Sequence, residues 1–259
     1  MNWLLLRGLV RERRHWGDFP EQLARATGGQ VRTLDLPGVG TERDRPSPTT
    51  IDGIVADLRG RFGNPEGEWA LFAPSLGGMI ALKWGEVAPD DFRRIMVCNT
   101  SASDLAGPFQ RFSPFALWTA LRGVLRRDLE ARERGVLALV SNTPQGLAMA
   151  PAFARFATEL PIGRMVLLRQ LLAGARARAP RSFAVPLTVL ASNGDRLCSP
   201  IASRRLAARL GAPLHVHPTA GHDLPLDDPD WVIARMCEPV EVASTEEIAE
   251  SHSPDFPGL

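Results

Sequence analysis

Short, continuous apolar runs recur along the chain, and each is followed closely by glycine, proline or a small polar residue. Such runs are typical of strands that are buried on both faces of a parallel sheet. The predicted strands cover residues 3–6, 31–36, 69–73, 94–98, 187–191 and 214–217.

Apolar residues at helical spacing fill most of the intervals between these runs. One interval carries Ile51, Ile54, Val55, Leu58 and Phe62, the spacing of a helix with one buried face. Further helices are predicted to begin at residues 18–20, 76, 199–200 and 228–229, where capping residues or proline favour a helix start. Strands that alternate with helices predict an α/β fold with a doubly wound, mainly parallel sheet.

The alternation stops between residues 101 and 182. Helical spacing there covers residues 115–134, 135–141, 150–160 and 164–177, and no strand-like run interrupts it. We therefore expect residues 1–100 and 183–237 to form the core, and residues 101–182 to form a helical cap over one edge of the sheet. Residues 238–259 are polar and acidic, which predicts a disordered tail.

Composition narrows the class of protein. The chain has 259 residues and a net charge of +1, and no apolar run reaches the roughly 18 residues of a membrane span. The apolar run at the start of the chain is too short for a secretion signal, so we expect a cytoplasmic protein. Three scattered cysteines fit neither a disulfide framework nor a zinc site. The basic residues form no nucleic-acid motif with interleaved aromatics, and residues 38–40 lack the third glycine of a dinucleotide site.

The most specific local pattern is residues 71–79 (LFAPSLGGM), where a predicted strand runs directly into a predicted helix. A nucleophilic serine on such a turn is strained, and bulky residues two positions before or after it would clash. Ala73 and Gly77 occupy those positions around Ser75. The helix that begins at Leu76 would direct its first N–H groups at an anion beside the serine.

Two more candidate residues follow later strands. Asp195 comes just after the run 187–191, and His222 just after the run 214–217. Ligands of open α/β sheets bind beyond the carboxyl ends of the strands, so both residues belong at the same edge as Ser75. The order Ser75, Asp195, His222 suits a nucleophile, an acid and a base. Asp104, which follows the run 94–98, is the alternative acid.

On these residues the chain resembles the α/β-hydrolase superfamily over about residues 1–237. Residues 5–9 (LLRGL) are similar to its His-Gly oxyanion segment, and residues 35–40 (DLPGVG) to its Asp-x-Pro-Gly-His-Gly turn; residues 75–78 and 221–226 also match. Among small members, the insertion and the Ser-Leu-Gly-Gly turn look most like carboxylesterases of the pimeloyl-[acyl-carrier protein] methyl ester esterase type. Because the chain begins at the strand before the oxyanion segment, the resemblance implies about six strands, all parallel.

The resemblance implies a serine hydrolase that cleaves a carboxylic ester or thioester with no metal and no cofactor. His222 would remove the Ser75 proton and Asp195 would orient the imidazole. The backbone N–H groups of Leu9 and Leu76 would form the oxyanion hole.

Three positions depart from the family pattern: Arg7 and Val39 replace histidines, and Ala73 replaces a glycine. The oxyanion donors are backbone groups, so they survive these changes. Arg7 alters the polarity beside the hole and could pair with an acidic group. The predicted substrate pocket includes Arg7, His15, Phe115 and Trp118. A surface position for His15, and packing within the insertion for the two large aromatic residues, remain alternatives.

Arginine is concentrated in the insertion, where residues 101–182 contain twelve arginines and five acids. A basic surface can steer an anionic partner, and an acyl carrier protein is the partner that the resemblance suggests. An ordinary solvated helical face is the alternative. A C–C or C–CN lyase that uses the same triad and a non-enzymatic small-molecule sensor are alternative functions, since one fold hosts many activities.

Overall fold

A computed structural model of the chain describes residues 1–107, 111, 118 and 128–239. Within them, six strands form one sheet in the order β2-β1-β3-β4-β5-β6, and every neighbouring pair is parallel. The strands are β1 (Asn2–Leu6), β2 (Val31–Leu34), β3 (Trp69–Pro74), β4 (Arg94–Cys98), β5 (Leu187–Ser192) and β6 (Leu214–His217). The predicted parallel sheet is confirmed.

Helices fill the connections between the strands in the described residues. They are α1 (Phe19–Thr27), α2 (Ile51–Phe62), α3 (Leu76–Val87), α4 (Leu129–Val140), α5 (Pro144–Leu147), α6 (Ala150–Glu159), α7 (Arg164–Arg176), α8 (Ile201–Leu210), α9 (Leu224–Asp227) and α10 (Pro229–Cys237). Short 3₁₀ helices cover Arg13–Trp16, Gly40–Glu42 and Pro89–Asp91. None of the described helices has the length and hydropathy that crossing a membrane requires.

The sheet is covered on both faces, which explains why its strands are continuously apolar. Trp3 and Leu5 of β1 join an apolar cluster with α1 and α10. Leu4 and Leu6 point the other way, into a cluster with α2, α3 and α8. These four side chains are at most 1% exposed, and each fully buried side chain of this size contributes roughly 1.5–3 kcal/mol of transfer free energy.

One predicted helix boundary is wrong. The sequence suggested separate helices over 115–134 and 135–141, but α4 runs without a break through Gly135. An internal glycine costs a helix about 1 kcal/mol, and other contacts outweigh that cost. The Asp128 side chain caps α4 by accepting from Glu130 N and Ala131 N, and Leu137 is fully buried. Residues 115–117 and 119–127 of the predicted helix, and the tail from residue 240 onward, lie outside the described residues.

The strand register brings four chain segments to one edge of the sheet. Pro74 at the end of β3 lies opposite Cys98, and Cys98 lies opposite Leu190 of β5. Ser192 at the end of β5 lies opposite His217 of β6. The loops that follow these strands therefore start side by side, and they carry the candidate site.

Candidate active site

Ser75 occupies the turn between β3 and α3 in a strained backbone conformation. Its φ is +57° and its ψ is −123°, a region that non-glycine residues rarely adopt and that costs about 1–3 kcal/mol. Two hydrogen bonds hold it there. Ser75 N donates to Cys98 O at 2.8 Å, and Thr100 Oγ1 donates to Ser75 O at 2.8 Å. The strain predicted from the sequence is thus present and is supported by the end of β4.

Two glycines let the end of β1 approach this turn. A Cβ atom at Gly8 would lie only 3.1 Å from the Ser75 Cβ atom. A Cβ atom at Gly77 would lie 2.8 Å from the carbonyl oxygen of Arg7 and 3.3 Å from Ala73 Cβ. Larger residues would push the two segments apart, so the loop that contains Leu9 is held beside Ser75.

Leu9 and Leu76, the predicted oxyanion residues, lie in segments that flank Ser75. Leu9 lies in the turn after β1, in which Arg11 N donates to Gly8 O at 3.3 Å. Leu76 is the first residue of α3, and N–H groups in the first turn of a helix have no acceptor within it. The positive end of the helix dipole also favours a negative charge here.

Asp195 and His222 form a buried pair. Asp195 Oδ2 lies 2.7 Å from His222 Nδ1, and the two side chains are 1% and 7% exposed. The other carboxylate oxygen accepts from the backbone N–H groups of Leu197 and Cys198, each at 2.8 Å. Asn99 holds the histidine loop by donating to His222 O at 2.9 Å. The acid is therefore fixed by its own loop, and the imidazole is fixed by the acid.

Burial and the charged neighbours of His222 act on its pKa in opposite directions. Burial alone would lower the pKa of His222, but the Asp195 carboxylate, together with Cys198, raises it well above its usual value. With its Nδ1 proton directed at Asp195, a neutral His222 keeps Nε2 as the atom that can accept a proton.

Asp104, the alternative acid, is engaged elsewhere. Its Oδ1 accepts from Ala179 N at 3.0 Å, and its Oδ2 pairs with Arg209 of α8. His222 is bonded to Asp195 instead. The geometry therefore favours Asp195 as the acid.

The model of the alpha/beta hydrolase family matches residues 3–235. The chain belongs to the alpha/beta hydrolase family. No curated protein sequence matches the chain.

Solved structures share this fold with the α/β-hydrolase described here. They include a thermophilic esterase from Thermogutta terrifontis, with 20% identity, coverage of 98% of this chain and 91% of that chain, and a TM-score of 0.67. An enol-lactonase from Burkholderia xenovorans LB400 has 18% identity, coverage of 91% and 89%, and a TM-score of 0.68. A 2-hydroxy-6-oxo-6-phenylhexa-2,4-dienoate hydrolase from Rhodococcus sp. strain RHA1 has 19% identity, coverage of 91% and 88%, and a TM-score of 0.69. At these identities the likeness shows the fold alone.

Arg7, which departs from the family pattern, forms a buried ion pair. Its guanidinium donates to both carboxylate oxygens of Asp223, with Nη1 at 3.1 Å from Oδ1, and it lies 4.6 Å from the centre of the Trp16 ring. Arg7 therefore pairs with an acid, as the sequence allowed. Asp223 was not among the predicted site residues, although its position directly after His222 in the sequence could have indicated it.

His15 is buried in this α/β-hydrolase rather than placed at its surface. Its ring centre lies 4.5 Å from that of Phe153 in α6, and its Nε2 lies 3.2 Å from a guanidinium nitrogen of Arg11. Burial, together with the charges of Arg11 and Arg7, lowers the pKa of His15 to about 2. Since arginine only donates, Nε2 accepts from Arg11. Nδ1 lies 3.2 Å from the backbone nitrogen of Glu12 and 3.1 Å from its carbonyl oxygen.

The other two predicted pocket residues contribute less to the described site. Trp118 is 57% exposed, and Phe115 lies outside the described residues. Arg7 and His15 are both buried. That these four residues line one substrate pocket stays a prediction.

Three side chains that could act as metal ligands also lie close together among the described residues. Asp195, Cys198 and His222 each offer one ligand atom, and these atoms lie within 4.8 Å of one another. Both carboxylate oxygens of Asp195 already accept hydrogen bonds, one from His222 and one from two backbone N–H groups. The arrangement suits an acid that orients a histidine better than it suits a metal ligand.

Proposed function

We propose that this α/β-hydrolase is a serine hydrolase that cleaves a carboxylic ester or thioester through an acyl-enzyme. Ser75 is the nucleophile, His222 the general base, and Asp195 the acid that orients it. The observation that carries the proposal is the buried His222–Asp195 pair, 2.7 Å between Nδ1 and Oδ2, at the same sheet edge as the strained Ser75.

The first half of the reaction forms the acyl-enzyme. His222 Nε2 takes the proton of Ser75 Oγ as the oxygen attacks the carbonyl carbon of the ester. Asp195 stabilises the imidazolium that results. The protonated histidine then donates that proton to the alkoxide or thiolate leaving group as the C–O or C–S bond breaks.

The second half releases the acid. Water gives a proton to His222 and attacks the acyl carbon, and Ser75 Oγ leaves with the proton that His222 returns. In both halves the negative oxygen is stabilised by Leu9 N–H and Leu76 N–H. The loss of one such donor typically lowers the rate about 10²–10³-fold.

Two of the structural relatives act on the class of bond that we propose. One is an esterase and another an enol-lactonase, and both names denote an ester bond in the substrate. The resemblance to the pimeloyl-[acyl-carrier protein] methyl ester esterase type makes a carboxylesterase the specific form of the proposal.

An acyl carrier protein is the partner that this specific form implies. Residues 101–182 would act as the cap that meets it, and within them Arg164 and Arg176 at the two ends of α7 are exposed. No acidic residue occurs between residues 160 and 194. An acidic carrier would be attracted to such a surface through long-range forces that salt screens.

Charge reversal tests the carrier. Arg164→Glu with Arg176→Glu should raise KM for a carrier-linked ester and leave KM for a p-nitrophenyl ester unchanged. Added salt should weaken only the carrier reaction. Equal effects on both substrates would remove the carrier from the proposal without affecting the esterase chemistry.

Covalent labelling tests the chemistry itself. The wild-type chain should turn over short p-nitrophenyl esters and be labelled by a fluorophosphonate on Ser75, whereas Ser75→Ala should do neither. Ligand-induced thermal stabilisation without turnover or labelling would instead indicate a small-molecule sensor. Cleavage of a C–C or C–CN bond, with no ester turnover, would indicate a lyase.

A further inference from the structure

Helix α7 reaches the loop that follows β1 with a buried polar side chain. Gln170 Oε1 accepts a hydrogen bond from the Val10 backbone N–H at 3.0 Å, and Gln170 is fully buried. Val10 directly follows Leu9, whose N–H is a proposed oxyanion donor. A residue 160 positions away in the sequence therefore contacts the oxyanion loop.

The backbone of Val10 needs a restraint because it is strained. Val10 is the third residue of the turn from Gly8 to Arg11, and its φ is +48°. Turns with a positive φ at this position normally use glycine or asparagine, and a β-branched residue there is an outlier. Relaxation to a negative φ would rotate the Leu9–Val10 peptide, which is joined at Leu9 Cα to the Gly8–Leu9 peptide that carries the proposed donor. The strain at Val10 therefore acts on Leu9 N–H through the backbone of Leu9.

Stability alone does not explain a glutamine at position 170. A backbone N–H can only donate, so the amide oxygen of Gln170 must face Val10 and its Nε2 must face away. That Nε2 is buried without a hydrogen-bond partner among the described residues. An unpaired buried donor costs about 1–3 kcal/mol, and this cost offsets the gain from the hydrogen bond that Val10 N–H donates to Gln170.

The same face of α7 also contacts the other side of the proposed oxyanion hole. Gly174 lies one turn after Gln170, and residues at this spacing share a helix face. A Cβ atom at Gly174 would lie 3.2 Å from Leu76 Cδ1. One face of α7 therefore touches Val10, next to one proposed donor, and Leu76, which supplies the other.

We infer that Gln170 is a positioning residue for the oxyanion hole. By accepting from Val10 N–H, it holds the strained turn in the form that presents Leu9 N–H to the tetrahedral oxyanion. Gln170 acts through Val10 and Leu9, so the oxyanion hole forms fully only when α7 is packed against this loop. This inference rests on the proposed function, because it takes Leu9 N–H to be a donor.

The test removes the acceptor and keeps the length of the side chain. Gln170→Met should lower kcat for a p-nitrophenyl ester about 10–100-fold, less than the loss of a whole donor, and should leave KM nearly unchanged. Amide hydrogen exchange across residues 8–11 should become faster, because Val10 N–H loses its acceptor. If Gln170→Met does not fold, Gln170→Asn is used in its place, because the shorter asparagine side chain does not reach Val10.

Arg169 provides a matched control on the same helix. Its Nη1 donates to Ser47 O at 3.1 Å, so Arg169→Met also removes a hydrogen bond between α7 and the core, but at another loop. It should change neither kcat nor exchange across residues 8–11. Adding Val10→Gly to Gln170→Met should restore part of kcat, because glycine adopts a positive φ without strain.

Three results would overturn the inference. They are an unchanged kcat and exchange in Gln170→Met, an equal kcat loss in Arg169→Met, or an effect on KM alone. Failure of the proposed function looks different, because the wild-type chain would then neither turn over esters nor react with a fluorophosphonate. Hydrogen exchange would still report in that case whether Gln170 holds the loop.

Discussion

At the scale of single residues, the orientation of His222 depends on one carboxylate. Asp195→Asn keeps the shape of the side chain but loses the charge, and its amide no longer selects the imidazole tautomer. We expect kcat for a p-nitrophenyl ester to fall by about 10⁴, as in other triads. Asp104→Asn is the control and should leave kcat unchanged, since Asp104 pairs with Arg209. A larger loss in the control would transfer the role of the acid to Asp104.

The same pair sets the pH dependence of activity. Burial would lower the pKa of His222, but Asp195 raises it above the usual value, and only the neutral imidazole can act as a base. Activity should therefore rise with pH through an inflection above about 6.5, the ordinary histidine value. In Asp195→Asn the residual activity should have its inflection at lower pH. An inflection in the wild-type profile at or below the ordinary value would contradict this assignment.

At the scale of elements, the Arg7–Asp223 pair joins the end of β1 to the start of α9. Both side chains are at most 10% exposed, so removal of one leaves the other buried and uncompensated. Arg7→Met should lower the free energy of unfolding by about 3–5 kcal/mol. The double variant Arg7→Met/Asp223→Asn should lose less than the sum of the two single losses, as measured by urea denaturation. Additive losses would show that the pair is not coupled.

The elements also show which parts of the molecule could be predicted from sequence. Strand β4 was predicted at its observed bounds, because a strand buried on both faces has a local, continuous apolar pattern. The helix break at Gly135 was predicted wrongly, because the cap at Asp128 and the burial of Leu137 outweigh a local glycine penalty. Local propensity cannot weigh such contacts.

In the candidate site, too, some residues could be predicted from sequence and others could not. Ser75, Asp195 and His222 could be proposed because each follows a recognisable strand. The partners that hold the site depend on contacts between distant positions. Arg7 and Asp223 are 216 residues apart, and Val10 and Gln170 are 160 apart. Such pairings follow from the folded chain and leave no periodic pattern in the sequence.

At the scale of the whole molecule, arginine side chains and aromatic rings form the contact between the segment that follows β1 and helices α4 and α6. Arg11 pairs with Glu133 of α4 at 2.7 Å and lies 5.3 Å from the ring centre of Phe153. The Arg14 guanidinium lies 4.4 Å from the ring centre of Phe156. His15 is buried between these groups, and a proton on it would place a further charge where water cannot reach.

This burial makes the stability of the molecule sensitive to acid. The pKa of His15 is about 2 in the folded state and about 6.5 in the unfolded chain. Below the unfolded value only the unfolded state takes up the proton, so stability must fall as pH falls. Between pH 6.5 and 4.5 this one residue should remove about 2 kcal/mol from the free energy of unfolding. His222 does not mask this effect. Because its pKa is raised in the folded state, its contribution to the free energy of unfolding is fully present below about pH 6.5 and is lost only as pH rises.

The measurement is the difference between two pH series of urea denaturation. His15→Gln keeps a neutral polar side chain beside Arg11 and removes the titrating ring, so its stability should decline less steeply than that of the wild type over this range. His215→Gln is the matched control, because it removes a histidine of β6 and leaves His15 in place, so the decline assigned to His15 should persist. Parallel curves for the wild type and His15→Gln would mean that His15 accepts a proton in the folded state, which its burial and the charges of Arg11 and Arg7 should prevent.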